Sequence, residues 1–263
     1  MSATGSSATA RLCRWLVLVA VFVLLLLAGC RHGANGEQGD AGAGESLAQL
    51  EESFAGEGLD EQAWVVTRQN DFQEGIADVV GGRLRLRAAT IGTDPATVKY
   101  LGVRTAQPLD LSDPFDLSLE LDWNNQSNGC YLTAELYLCP TATDTNPEDE
   151  RDWLRWDYIG VPPGQNARAW VSKQVNGGET VLYDEGWPEQ RTGRKIGRQD
   201  LNLHWADGVL SLRENGELLW SGAWEGFAGR NAYLYLQLSS HSNYPAREVF
   251  FDEVVFSGSA ANE

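Results

Sequence analysis

Phe115 to Trp123 alternates apolar and polar side chains, and two of the polar ones are the carboxylates Glu120 and Asp122. On a strand, residues two apart share a face and stand roughly 7 Å apart along the backbone. Hydrolysis of a glycosidic bond needs two carboxyls about 5–9 Å apart, one of them acting as the acid. Glu135, on a later alternating stretch, joins them if the strands lie in register. His241 offers different chemistry. Its imidazole titrates near neutrality and, beside Tyr131, Tyr137 or Tyr233, is suited to abstracting a proton; it is equally suited to capping backbone groups in the turn Ser239-Ser240-His241-Ser242-Asn243. A third set binds rather than reacts: Tyr131, Tyr137, Trp170, Gln174, Tyr233, Tyr235 and Gln237 occupy the polar positions of alternating stretches. Aromatic rings stack on the C–H faces of sugars, and amides bond their hydroxyls. Every sandwich also turns a polar face to water, but aromatics there are costlier than Ser, Thr or Lys.

Strands must position these residues. In Tyr233-Leu234-Tyr235-Leu236-Gln237-Leu238-Ser239-Ser240-His241 the leucines point one way, and the tyrosines, Gln237, Ser239 and His241 point the other. Glu248 to Phe256 follows as a closing strand. Gly81-Gly82, Asp207-Gly208 and Asn215-Gly216 separate apolar runs and supply the positive φ of tight hairpins. Further strands are expected around Thr97–Thr105, Cys130–Leu138, Trp153–Val161 and Ala167–Val175, with a helical turn at Ser46–Glu52 and a long loop over 184–198. About a dozen short strands without a long helix predict an all-β, antiparallel sandwich. It spans 51–258, after a leader (1–29) and a tether (30–50), and ends in a short tail (259–263).

The leader carries Arg11 and Arg14, then the apolar run Leu16–Leu27, short for a membrane span, and closes on Leu27-Ala28-Gly29-Cys30. This resembles the bacterial lipoprotein box. The resemblance implies cleavage before Cys30, acylation of its thiol and attachment to a membrane of the cell envelope. The chain has 263 residues and a formal net charge of −17. That charge argues against nucleic acid and fits a monomer kept apart by self-repulsion. Cys130 and Cys139, if on one strand, lie roughly 30 Å apart on opposite faces, beyond the ~7 Å Cα limit of a disulfide. No His/Cys group has zinc spacing.

Leu201 to Gly216, with Phe250-Phe251-Asp252-Glu253-Val254-Val255-Phe256, resembles the concanavalin A-like lectin/glucanase superfamily; Phe54–Trp64 and Gly81–Leu86 resemble its opening. The resemblance implies a jelly roll of two curved sheets whose concave sheet holds a carbohydrate or related polymer. It implies a structural calcium near Asp252, unless that carboxylate only ties the termini together. Laminarinase-like members alternate Glu, Asp and Glu on one strand; here Glu120 and Asp122 are followed by Asn124 and Asn125, which removes the second glutamate. Lyases of the fold use His/Tyr pairs, for which His241 is the candidate, but such enzymes show a basic groove, and Arg168 and Arg247 are only its beginning. The expected function is carbohydrate binding without turnover. A glycosidase or lyase, and a protein-interaction module of the envelope, are the alternatives.

Overall fold

The computed structural model describes residues 46–112, 114–123, 132–160, 166–185, 194–195, 197–240, 243 and 245–258. Tyr131, His241, Cys30 and Cys130 lie outside them. The strands are β1 (Gln49–Glu52), β2 (Trp64–Gln69), β3 (Glu74–Val80), β4 (Arg83–Ala89), β5 (Lys99–Thr105), β6 (Leu109–Asp110), β7 (Phe115–Trp123), β8 (Leu132–Cys139) and β9 (Trp153–Gly160). They continue with β10 (Asn166–Val175), β11 (Gly178–Asp184), β12 (Arg194–Lys195), β13 (Gly197–Ala206), β14 (Val209–Glu214), β15 (Glu217–Ala223), β16 (Asn231–Ser240) and β17 (Arg247–Gly258).

They form two antiparallel sheets. One has eight strands in the order β15-β14-β13-β7-β17-β4-β3, with β1 also on β17. The other has nine, in the order β11-β10-β9-β8-β16-β5-β2, with β12 on β10 and β6 on β16. The inner faces meet in one core. Leu117, Leu119, Leu121, Leu203, Leu212 and Phe251 pack from the first sheet, and Val103, Leu136, Leu154, Trp156, Leu234 and Leu236 from the second. These are the apolar members of the alternations, so the period of two is what closes the sandwich. Phe115, Trp205, Trp224, Phe227 and Phe256 make an aromatic cluster at one end of the core, with neighbouring ring centroids 5.3–6.3 Å apart.

The expected hairpins form: Val80 pairs Arg83 across Gly81-Gly82, Ala206 pairs Val209 across Asp207-Gly208, and Glu214 pairs Glu217 across Asn215-Gly216. Both turn residues of each have positive φ. Asn176-Gly177 makes a fourth turn of this kind, between β10 and β11. Two expectations are corrected. Ser46–Glu52 is not helical: Gln49 to Glu52 pair Ser257 to Val254 as a strand. Leu47 also bridges Leu109 of β6, so this segment touches strands of both sheets. Within 184–198, Arg194–Lys195 and the start of β13 are strand rather than loop. Pairing energy and burial of Leu47 and Leu50 against the core outweigh weak helical propensity over so short a stretch.

Candidate functional site

Strand register sets out the outer face of the nine-stranded sheet in rows. One row runs Gly102 (β5), Gln237 (β16), Glu135 (β8), Asp157 (β9), Trp170 (β10) and Asp184 (β11). The adjacent row runs Arg104, Tyr235, Tyr137, Arg155 and Ser172 on the same strands. Gly102 permits close packing here, since a Cβ on it would lie 2.5 Å from the Leu236 carbonyl oxygen and 3.1 Å from Thr67 Oγ1.

Glu135 is the hub. Gln237 Nε2 donates to its Oε2 at 2.6 Å, and Ser239 Oγ to its Oε1 at 2.5 Å. Asp157, its cross-strand neighbour, lies 3.0 Å from Arg155 Nε through Oδ2. Arg155 also reaches Glu148 at 2.9 Å and Glu179 at 3.1 Å. Burial pushes the Glu135 carboxyl up to about 7, although the bonds from Ser239 and Gln237 pull it down. Burial likewise holds Asp157 well above the usual carboxylate range, against the pull of Arg155. Two buried acids side by side cannot both ionise freely, so they titrate together.

The burial comes partly from the segment 140–152, which lies over this face. Thr143 N donates to Tyr235 Oη at 2.8 Å, and that hydroxyl donates to the Thr141 carbonyl at 2.8 Å. Asn146 caps the single 3-10 turn Pro147–Asp149, accepting the Glu148 N–H at its Oδ1; the same oxygen accepts Gln237 Nε2 at 3.1 Å. Trp153 Nε1 donates to the Glu148 carbonyl at 3.2 Å, and Gln174 Nε2 to that of Glu150 at 2.5 Å. Arg104 holds Asp144 at 2.8 Å. The sequence expectation of a water-facing polar face is corrected at this point. Tyr137 and Tyr235 are both 0% exposed and present no surface: Tyr235 holds the covering segment, Tyr137 packs edge-on against Trp153, and Gln174 is spent on the segment. Trp170, Tyr233 and Tyr100 remain half-buried on the same face. Arg168 stacks on the Trp170 ring at 4.6 Å, and Arg104 on Tyr233 at 5.5 Å.

Glu120 and Asp122 are elsewhere. They lie on the outer face of the eight-stranded sheet, so the structure does not bring them together with Glu135. Alternation identifies residues that share a strand face; it does not say which sheet the strand joins. Glu120 sits in register between Asp200 and Asp252, with Arg198 Nη2 at 2.6 Å. Burial raises its carboxyl. Asp122 pairs Arg83 at 2.8 Å. A recess of about 410 Å³ beside Glu120 is lined in part by Ser118, Arg198, Asp200, Asn202 and Arg213. Asp252 Oδ1 accepts the Glu253 N–H at 2.9 Å, beside a bulge where Glu253 has φ 48°. No cluster of three metal-ligating side chains occurs among the described residues. Cys139 is a buried free thiol, which burial raises to about 12.

Asp157, Arg155 and Asn146 were not among the residues singled out from sequence. The signal for the first two was present: in Trp153-Leu154-Arg155-Trp156-Asp157-Tyr158 the polar members alternate with core residues.

No protein-family model matches the chain, and no curated protein matches its sequence. Solved structures do. The catalytic domain of an endo-1,3-β-glucanase (laminarinase) from Thermotoga petrophila RKU-1 aligns over 80% of this chain and 97% of its own, with 9% identity and a TM-score of 0.57. A structure reported with endo-acting O-glycanases of the human gut microbiota that initiate mucin breakdown aligns over 80% and 99%, with 13% identity and a TM-score of 0.56. The carbohydrate recognition domain of Emp47p aligns over 81% and 96%, with 11% identity and a TM-score of 0.52. A sialidase also aligns, but this chain spans 18% of its length at a TM-score of 0.48, and the match carries no weight. The fold is the concanavalin A-like jelly roll of these glucanase and lectin domains. At such identities the likeness concerns fold alone, and the fold serves both catalysis and recognition.

Proposed function

We propose that this chain is a lipoprotein of the cell envelope, anchored through acylated Cys30, whose jelly-roll domain binds a carbohydrate without turning it over. One observation carries the binding reading. On the nine-stranded sheet, Glu135 has both oxygens bonded to protein donors and is 5% exposed, while Trp170, Tyr233 and Tyr100 on the same face stay partly open. Half-open aromatic rings, two of them beside a guanidinium group, suit contact with the C–H face of a sugar ring. Support from known structures is limited to fold: one neighbour is a carbohydrate recognition domain and others are glucanases. A structural calcium at Asp252 belongs to the same proposal; calcium titration followed by melting temperature tests it, and no shift would remove it.

A glycan and polysaccharide array probed with the detergent-solubilised chain tests binding, with every positive well assayed for products. Binding without products, lost in Trp170→Ala, supports recognition. Silence in every well sinks it and favours an envelope interaction module. Metabolic labelling with a fatty acid tests the anchor; label retained in Cys30→Ala would remove it.

A second reading rests on Glu135 and Asp157. Directly opposed residues on antiparallel strands place their Cβ atoms about 4.5–5.5 Å apart. Retaining glycosidases hold their carboxyls about 5–5.5 Å apart. Products from any well, abolished in Asp157→Asn, would replace the binding reading with this one.

A further inference from the structure

The segment 140–152 is tied to the domain in two different ways. Its ends are held by main-chain N–H groups. Arg68 of β2 donates to the Asp144 carbonyl at 2.8 Å, Gly177 of the β10–β11 turn to that of Arg151 at 2.9 Å, and Asn176 to Asp152 Oδ1 at 2.6 Å. Its middle, 146–150, is held through side chains. Gln69 accepts the Asn146 N–H at 2.9 Å and donates to Asp149 at 3.0 Å, Gln237 reaches Asn146, and Arg155 reaches Glu148. The middle also carries three consecutive acids, Glu148, Asp149 and Glu150. Beneath it lie two more, Glu135 and Asp157, 5% and 3% exposed. Arg155 is the cation that Glu148, Asp157 and Glu179 share.

Burial keeps both sheet acids toward their protonated forms, so the closed face holds little unmatched charge. When the protons leave, two carboxylates lie under an acidic strap in a place closed to water, where like charges repel strongly. β8 and β9 cannot retreat, since each is paired on both sides within the sheet. The middle of the strap can, because its ends stay fastened. Water that enters meets groups able to bind it. In these rows Tyr137 Oη, Trp170 Nε1 and Arg155 Nε are donors without a hydrogen-bond partner, the last lying close to Asp157 Oδ2 but not aligned on it. Asp157 Oδ1, Gln237 Oε1 and Ser172 Oγ are acceptors without one. Water both donates and accepts, so it satisfies the two sets together. We propose that the middle of 140–152 is a proton-latched lid. It is closed while Glu135 and Asp157 are protonated, and their ionisation lifts it to bare Tyr137, Tyr235 and Trp153, each 0% exposed beneath it.

The charged and titratable groups facing the two acids are Arg155 on β9, Tyr137 on β8, Tyr100 on β5, Glu148 and Asp149 of the lid and Glu179 of β11. From β16, Gln237 and Ser239 donate to Glu135, and Tyr235 lies in the adjacent row. At the margins Arg168 holds Asp184 and Arg104 holds Asp144. Opening returns the Glu135 carboxyl from about 7 toward its ordinary 4.5. Closure is therefore strongest below about 4.5 and weakens about tenfold per pH unit as pH rises toward about 7. The device stands whether or not the sheet binds a sugar.

Hydrogen–deuterium exchange of the full chain in detergent micelles tests this, with rates corrected for the intrinsic effect of pH. Protection of the amides in the middle of 140–152 is expected to fall at least about tenfold between about pH 5 and about pH 7. Low concentrations of urea should leave that exchange unchanged, because a local opening exposes little surface, while the amides of β7 exchange only with unfolding and respond to urea. Glu135→Gln combined with Asp157→Asn should abolish the fall. Protection equal at the two pH values overturns the proposal. So does lid exchange that rises with urea in step with β7, which is unfolding of the whole sandwich, and so does an undiminished fall in the double variant, which places the proton elsewhere. If the double variant does not fold, the infrared band of protonated carboxyls in the unaltered chain decides. Its loss must follow the same pH course as the gain in exchange; a different course overturns the lid.

Discussion

The two outer faces of this sandwich are built from the same kinds of residue and behave in opposite ways. On the eight-stranded sheet Arg83, Arg85 and Arg87 alternate along β4 and meet Asp122, Asp78, Glu74 and Glu248 in a ladder of ion pairs 2.5–3.6 Å long. Water reaches these pairs, so each contributes little. On the nine-stranded sheet Glu135, Asp157 and Arg155 stand in a comparable cross-strand arrangement, but 140–152 lies over them. The cover removes the solvent, and the acids then cling to their protons. Much of what separates the faces is one thirteen-residue connection, which finds buried aromatics such as Tyr137 and Tyr235 beneath it.

The strongest attempt to break this comparison is Arg155→Ala, which leaves Asp157 buried without its cation and should cost about 3–5 kcal/mol. Denaturant unfolding reads it; a loss below about 1 kcal/mol, typical of exposed pairs, would mean that the covered face is wetter than described. Next is pH. The Glu135 carboxyl rises from an ordinary 4.5 to about 7 on folding. The protonated form is therefore the one folding favours. Its contribution is complete below about 4.5 and is lost as pH climbs through about 7, a fall on the order of 3 kcal/mol shared with Asp157. Glu135→Gln should flatten that fall in urea titrations taken across the window. A slope unchanged by the substitution would place the proton elsewhere.

Gly102→Ala sharpens the comparison from the side of packing. A methyl group 2.5 Å from the Leu236 carbonyl forces β5 and β16 apart and should cost about 1–3 kcal/mol. Asn146→Ala frees the middle of the cover, with a loss of about 1–2 kcal/mol and faster amide exchange across 140–152. Exchange as slow as in the unaltered chain would show that Asn146 does not hold it. The smallest effect belongs to the open face. Arg85→Ala should lose less than about 1 kcal/mol and still less in high salt.

Much of this was legible in the sequence. The leucines of Leu234-Tyr235-Leu236-Gln237-Leu238 declared an inner face, and the Gly-Gly, Asp-Gly and Asn-Gly pairs declared hairpins, because both signals depend on neighbours in the chain. The pairing of Glu135 with Gln237 was not legible. Those residues are about a hundred positions apart, and their meeting depends on the order of strands in the sheet. Glu120 and Asp122 were grouped with Glu135 for the same reason, since a period of two reports a face but not a sheet. The 140–152 cover gave no warning at all. It is fastened in part by main-chain carbonyls, such as those of Thr141, Glu148 and Glu150, which every sequence contains, and its side-chain ties from Asp144, Asn146 and Glu148 reach residues distant in the chain or on another strand.

Leu47 touching β6 while Gln49–Glu52 run along β17 gives the amino-terminal end of the sandwich a mechanical character. Tension applied ahead of Leu47 would be shared at once between the two sheets. It would act along β1, so the four paired residues must slide together instead of unzipping in succession. A load applied through its first residues would pass into the seam of the sandwich, along β17 on one side and through β6 to β16 on the other.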